Sequence, residues 1–134
     1  MRSFLLLLLA TTCAFAVPSQ RDELGAAKRE AQNAYTAAQR IKDKAQFIAA
    51  VAQFQEVGRK VAAANKALIR KIDINGNRKT EVNHLKPLKD TLDSLGNFIL
   101  PTELSPESVR SVDRYIREID MAIETHHAAS LNIR

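Results

Sequence analysis

Three histidines, one turn rich in Asp and Asn, a few carboxylate pairs and nine clustered basic residues are the positions whose types and spacing could do chemistry. His126 and His127 are adjacent, so on a helix they point about 100° apart and cannot share one metal ion as an i, i+4 pair does. His84 is the only other histidine, and no acidic residue completes a ligand spacing with it. The pair is expected to be solvated near a helix C-terminus, where partial positive charge is favourable. Asp73, Asn75 and Asn77 place oxygens at alternate positions, as a calcium loop does. Counting from Asp73 puts Arg78 at position six and His84 at position twelve, where such a loop needs Gly and a bidentate Glu. That stretch therefore reads as a turn closing a helix. Asp90 with Asp93, and Asp120 with Glu124, are spacings that solvated helix faces carry routinely, and nothing marks them for acid–base work. There is no Gly-rich phosphate loop, no Ser/His/Asp set and no G-x-S-x-G. The chain is expected to be no enzyme and to need no cofactor, metal or catalytic residue.

The basic residues are the strongest asymmetry. Arg59, Lys60, Lys66, Arg70, Lys71, Arg78, Lys79, Lys86 and Lys89 share one segment, opposed there only by Asp73 and Glu81. From Asp90 onward, eight acidic residues face four basic ones. A basic end on a folded domain attracts anions such as sulfated polysaccharide, anionic lipid head groups or nucleic acid. Its expected centre is Arg70, Lys71, Arg78 and Lys79, which flank the turn at Asn75 and Gly76. Nucleic acid is the weakest of the three. No Phe, Tyr or Trp lies between Val57 and Asn97 to stack on bases, and no groove-reading motif is present. Two ordinary explanations compete: lysines late in a helix suit its dipole, and an acidic last helix can neutralise the patch.

The elements that must position these residues are helical throughout. Steps of three and four from Leu24 visit Ala27, Ala31, Ala34, Ala38, Ile41, Ala45, Ile48 and Ala52, an apolar stripe made mostly of alanine. A second, offset stripe runs Phe47, Val51, Phe54, Gly58, Val61, Asn65, Leu68 and Ile72. The overlap at 47–54 is expected to be the most buried stretch. One rod over 20–73 would be about 80 Å long, more than the remaining chain can cover. Asp43 with Gln46 resembles a capping box. The helix is therefore broken near 42–44, with one bent continuous helix as the alternative. Val82, Leu85, Leu88, Leu92, Leu95 and Ile99 mark a third helix, stopped by Gly96 and Asn97. Its Pro87 falls in the first turn if Asn83 is the cap. Ser105, Pro106 and Glu107 supply a cap, a proline at the first helical position and an early acid. They open a fourth helix striped by Val109, Val112, Ile116, Ile119 and Ile123.

The prediction is an all-α, small antiparallel four-helix bundle, with helices over about 20–42, 44–73, 80–96 and 106–129. Its core should include Phe47, Val51, Phe54, Val61, Leu68, Leu88, Leu92, Leu95, Val112, Ile116 and Ile119.

The first sixteen residues differ from the rest. Arg2, the apolar run 4–10 and Ala14-Phe15-Ala16 have the n-region, h-region and cleavage signal of a secretory signal peptide. The apolar run is too short to span a bilayer. Residues 1–16 are read as a signal peptide and 17–134 as one helical domain, secreted and extracellular. Cys13 is the only cysteine, so the mature chain has no disulfide and no thiol chemistry. Thr12 stands where a lipid-bearing cysteine needs a small Gly or Ala before it, which disfavours a lipoprotein. No later apolar stretch reaches membrane-spanning length, and there is no N-glycosylation sequon. These features describe a secreted, non-enzymatic helical interaction protein. Its partner is an extracellular protein or a polyanionic surface met by the basic segment. The alternative is an extracellular lipid carrier whose amphipathic helices open onto a lipid surface.

Overall fold

The computed structural model describes residues 20–75 and 83–132. Residues 1–16, read above as a signal peptide, and Gly76, Arg78 and Lys79 lie outside the described residues. Four helices follow one another: α1 Gln20–Ile41, α2 Lys44–Asn75, α3 Leu85–Gly96 and α4 Pro106–Ser130. No strand occurs among the described residues. The helices pack into an all-α four-helix bundle in which α2 touches all three others. Side-chain pairings give the directions. Arg21 reaches Glu124 and Tyr35 reaches Asp113, so α1 and α4 are antiparallel. Gly58 lies against Tyr115 and Asn65 against His126, so α2 and α4 run parallel across a diagonal. Asn65 also bonds Thr91, while Gly58 and Leu95 line one cavity, so α3 is antiparallel to α2.

The break between α1 and α2 is built from backbone groups. Lys42 takes the left-handed conformation, with φ 55°. The Asp43 N–H then returns to the Ala38 carbonyl and the Lys42 N–H to that of Gln39, both at 3.2 Å, which is a Schellman closure. Asp43 starts the next helix at once, because its Oδ1 accepts from the Gln46 N–H at 3.0 Å. The chain therefore reverses in two residues. This reversal resets the helical phase. Ile41 is 58 % exposed. Ala45 and Ala52 are also exposed, so the alanine stripe of α1 does not carry into α2.

The second stripe is buried at all eight of its positions, from Phe47 to Ile72. Of the predicted core residues only Leu92 departs, being half-buried. The main cluster also holds Leu24, Ala31, Ala38, Tyr115 and Ile123, with Tyr35 at its aromatic centre. The Tyr35 ring lies 5.6 Å from that of Phe47 and 5.7 Å, edge to face, from that of Phe54. Its hydroxyl donates to Asp113 on α4 at 3.1 Å. Burial and the neighbouring Asp113 carboxylate push this hydroxyl well above the ordinary tyrosine range, so it stays a donor. Leu68, Ile72, Leu88 and Ala129 close the far end of the bundle.

α3 is shorter than its stripe predicts. Asn83 and His84 form a turn, and the described helix starts at Leu85 rather than near 80. Pro87 explains the limit: a helix running back through Asn83 would meet the proline ring with a carbonyl and find no N–H there. At 12 residues α3 is about 18 Å long, against about 48 Å for the 32 residues of α2. Beyond Gly96 the chain is irregular. Ile99, expected on the apolar stripe, is 82 % exposed. Phe98, Leu100 and Leu104 pack on the core in place of a longer helix. Ser105 then caps α4 as expected, its Oγ accepting from the Ser108 N–H at 3.1 Å with Pro106 at the first helical position.

A left-handed lysine is strained by its Cβ. Replacing Lys42 with glycine should raise stability by about 0.5–1 kcal/mol, the strain relieved less the entropy glycine adds to the unfolded chain. The urea midpoint checks this, and a lower midpoint for Lys42→Gly would contradict the closure described.

Candidate functional site

Helical phase sorts the seven of the nine basic residues that lie in the described helices. Arg59, Lys66 and Arg70 fall within about 40° of one another around α2, while Lys60 and Lys71 sit about 100° further round. All five are exposed. Lys89 on α3 is exposed and lies within about 20° of Gly96, on the side of α3 that faces the Arg59 row. Four cations, Arg59, Lys66, Arg70 and Lys89, therefore flank the α2–α3 groove. Lys86 turns the other way, toward Glu118 and Met121 of α4, and its Nζ is 2.9 Å from Asp90. Arg59 pairs with Glu56 at 3.0 Å on its own helix. Lys60, Lys66, Arg70, Lys71 and Lys89 form no ion pair among the described residues. The centre expected at Arg70, Lys71, Arg78 and Lys79 is thus divided, because adjacent Arg70 and Lys71 diverge and the other two lie outside the described residues.

Beside the Arg59 row the groove deepens into a cavity of about 320 Å³. Gln55, Gly58, Arg59, Ala62 and Lys66 form one wall, and Leu92, Leu95, Gly96, Phe98 and Tyr115 the other. The cavity exists because α3 ends at Gly96 and Phe98 takes over the corner. The Phe98 ring stacks on that of Tyr115, with centroids 3.9 Å apart. Gly58 permits this: a Cβ there would stand 2.0 Å from Tyr115 Oη. Burial pushes the Tyr115 hydroxyl up to about 12; Arg59 pulls it down and Glu118 adds to the rise. It is therefore a protonated donor at neutral pH.

His126 overturns the expectation of a solvated histidine. It is 5 % exposed and Asn65 is fully buried. Asn65 Nδ2 donates to Thr91 Oγ1 at 2.9 Å, and Thr91 donates onward to the Leu88 carbonyl at 2.6 Å. Asn65 Oδ1 is then the acceptor for His126 Nδ1–H at 3.0 Å, which fixes the histidine tautomer. One asparagine thus ties α2 to α3 and α4. The physical reason is phase: His126 stands three residues beyond Ile123 and on its stripe, so the helix turns it inward while His127 stays half-exposed.

Three of the four carboxylates in these pairs, Asp90, Asp120 and Glu124, are engaged in ion pairs. Arg21 bonds Glu124 at 2.8 Å, and Lys28 pairs with Asp120, so both acids join α4 to α1. His84 Nε2 meets Asn132 at 3.3 Å rather than another histidine. Among the described residues no group of three or more His, Cys, Asp or Glu is arranged to hold a metal ion. No helix among them is long and apolar enough to cross a membrane. Compared with protein-family models, curated proteins and solved structures, the chain matches none.

Burial, with a smaller effect of His127, lowers the His126 pKa below its ordinary value of 6.5. The unfolded chain therefore takes up the proton first, and acid favours unfolding. The contribution is complete above about pH 6.5 and is lost as pH falls through that value toward the folded pKa. Urea midpoints should drop as the pH falls below about 6.5, and His126→Gln should flatten that part of the profile. An equally steep profile for H126Q would place the titration elsewhere.

Proposed function

We propose that this chain is a secreted, non-enzymatic helical interaction protein that binds a polyanionic surface along the α2–α3 groove. The observation that carries the reading is the alignment of Arg59, Lys66, Arg70 and Lys89 on that groove, three of them without an ion pair among the described residues. Lysine and arginine on two antiparallel helices make an extended strip of positive potential. Such a strip suits a linear polyanion, of which sulfated polysaccharide is the extracellular example. The strip itself carries no aromatic side chain, and the nearest rings, Phe98 and Tyr115, are stacked on each other, which argues against single-stranded nucleic acid. The side chains best placed for acid–base work, Asp90, Asp120 and Glu124, are held in ion pairs, which supports a binding role.

Attraction of this kind is long-range and screened, with a Debye length of about 8 Å at physiological ionic strength. The protein should be retained on immobilised heparin at low salt and released by high salt. Changing Arg59, Lys66, Arg70 and Lys89 together to Gln should abolish retention, while Lys60→Gln with Lys71→Gln should reduce it less. Equal retention of the quadruple variant and the parent would make the strip only a solvated face. Retention on neutral vesicles that survives high salt, with a rise in helix content, would replace this reading with lipid carriage on the apolar stripes. The secreted form should begin near Val17 by mass spectrometry, and an intact Met1 on protein from the medium would contradict the leader.

A further inference from the structure

The cavity beside the strip has a chemistry of its own. Its walls divide by character. Leu92, Leu95, Ala62 and the edge of the Phe98–Tyr115 stack are apolar, while Lys66 and Arg59 stand at the rim. One polar group reaches it from inside the fold. Tyr115 is only 3 % exposed, and its hydroxyl lies over Gly58, a residue of the same wall. No described residue hydrogen-bonds that hydroxyl. It is open to the cavity, since no enclosed side-chain polar atom among the described residues lacks a partner. A buried phenol without a protein acceptor is a donor waiting for one.

We propose that this cavity binds a small amphipathic monocarboxylate, its carboxyl group taking the Tyr115 hydroxyl and the Lys66 ammonium and its apolar body lying on Leu92, Leu95 and Phe98. Three features select that class. The hydroxyl is a donor at neutral pH, so the partner must accept. The rim is cationic, and Lys66 has no ion pair among the described residues, so the acceptor is an anion. The volume of about 320 Å³ is at the small end of ligand sites, which excludes a bulky or polymeric ligand from the interior. Arg59 is held by Glu56 and acts as a second, weaker attraction. Lys66 and Arg59 serve the strip and the cavity alike, whereas the Tyr115 hydroxyl serves only the cavity, so Tyr115→Phe is the change that separates the two readings.

Octanoate, with octanol as its neutral counterpart, tests the proposal by calorimetry and by amide chemical shifts on the full mature chain. Octanoate should bind and move resonances of 55–66 and 92–98, while octanol binds at least about tenfold more weakly. Tyr115→Phe keeps the ring and its stacking and removes only the donor; it should weaken octanoate about tenfold and leave heparin retention unchanged. Lys66→Gln should weaken octanoate by a similar factor and octanol not at all. No octanoate binding to the parent, equal binding of octanol, or unchanged affinity in Y115F would each overturn the proposal. Should Y115F lose helix content, Lys66→Gln, an exposed change, decides the matter alone.

Discussion

Everything in this bundle leans on one face of α2. Its eight stripe positions from Phe47 to Ile72 are all buried, and every other helix packs on them. Seven of the eight carry no polar side-chain atom. Asn65 is the exception, and its burial forces a solution on its neighbours, because an amide without partners in an apolar core costs several kcal/mol. Thr91 and His126 supply those partners from two different helices. Sliding α4 by one turn, about 5.4 Å, would part His126 from Asn65 and leave the His126 Nδ1–H and the Asn65 Oδ1 without each other, and sliding α3 would part Thr91 from the Asn65 Nδ2. Apolar contacts alone tolerate such slips far better, so the polar cluster sets the register of α3 and α4 on α2.

The other consequence of that long face is a mismatch of lengths. α3 covers well under half of α2, because Pro87 limits its start and Gly96 marks its end. The uncovered corner is closed by Phe98, Leu100 and Leu104 from a segment with no helical backbone. Helix and irregular chain do not meet flush, and the cavity over Gly58 is the seam between them. The strip of cations follows from the same geometry. Residues on the outer edge of a long helix beside a short neighbour stay open to solvent, so Arg59, Lys66 and Arg70 are all exposed, and only Arg59 of the three is held in an ion pair among the described residues.

Much of this was legible in the chain. The second stripe, the break at Asp43 and Gln46, and the Ser105–Pro106 start each rest on local rules, and the backbone obeys them. What local rules missed was tertiary. His126 sits beside His127 near a helix end, which suggests solvent; its phase with Ile119 and Ile123 carries the opposite signal, and the fold follows the phase. Tyr35 and Tyr115 flank their stripes by one residue, so periodicity alone passed over the aromatic centre of the core and the donor in the cavity. Leu92 lay on the stripe but at the edge of a helix too short to be covered. The nine basic residues form one cluster along the chain, and only the helical phase and the antiparallel packing of α2 and α3 divide the seven described ones between flanks.

The register claim is tested most directly by a double-mutant cycle on Asn65 and His126, with stabilities from urea unfolding at neutral pH. Asn65→Ala and His126→Ala should each destabilise the fold, and the double variant should cost less than their sum, with a coupling of about 1–2 kcal/mol. A coupling near zero would mean that the two side chains are buried independently, and that apolar contact alone aligns α4 on α2.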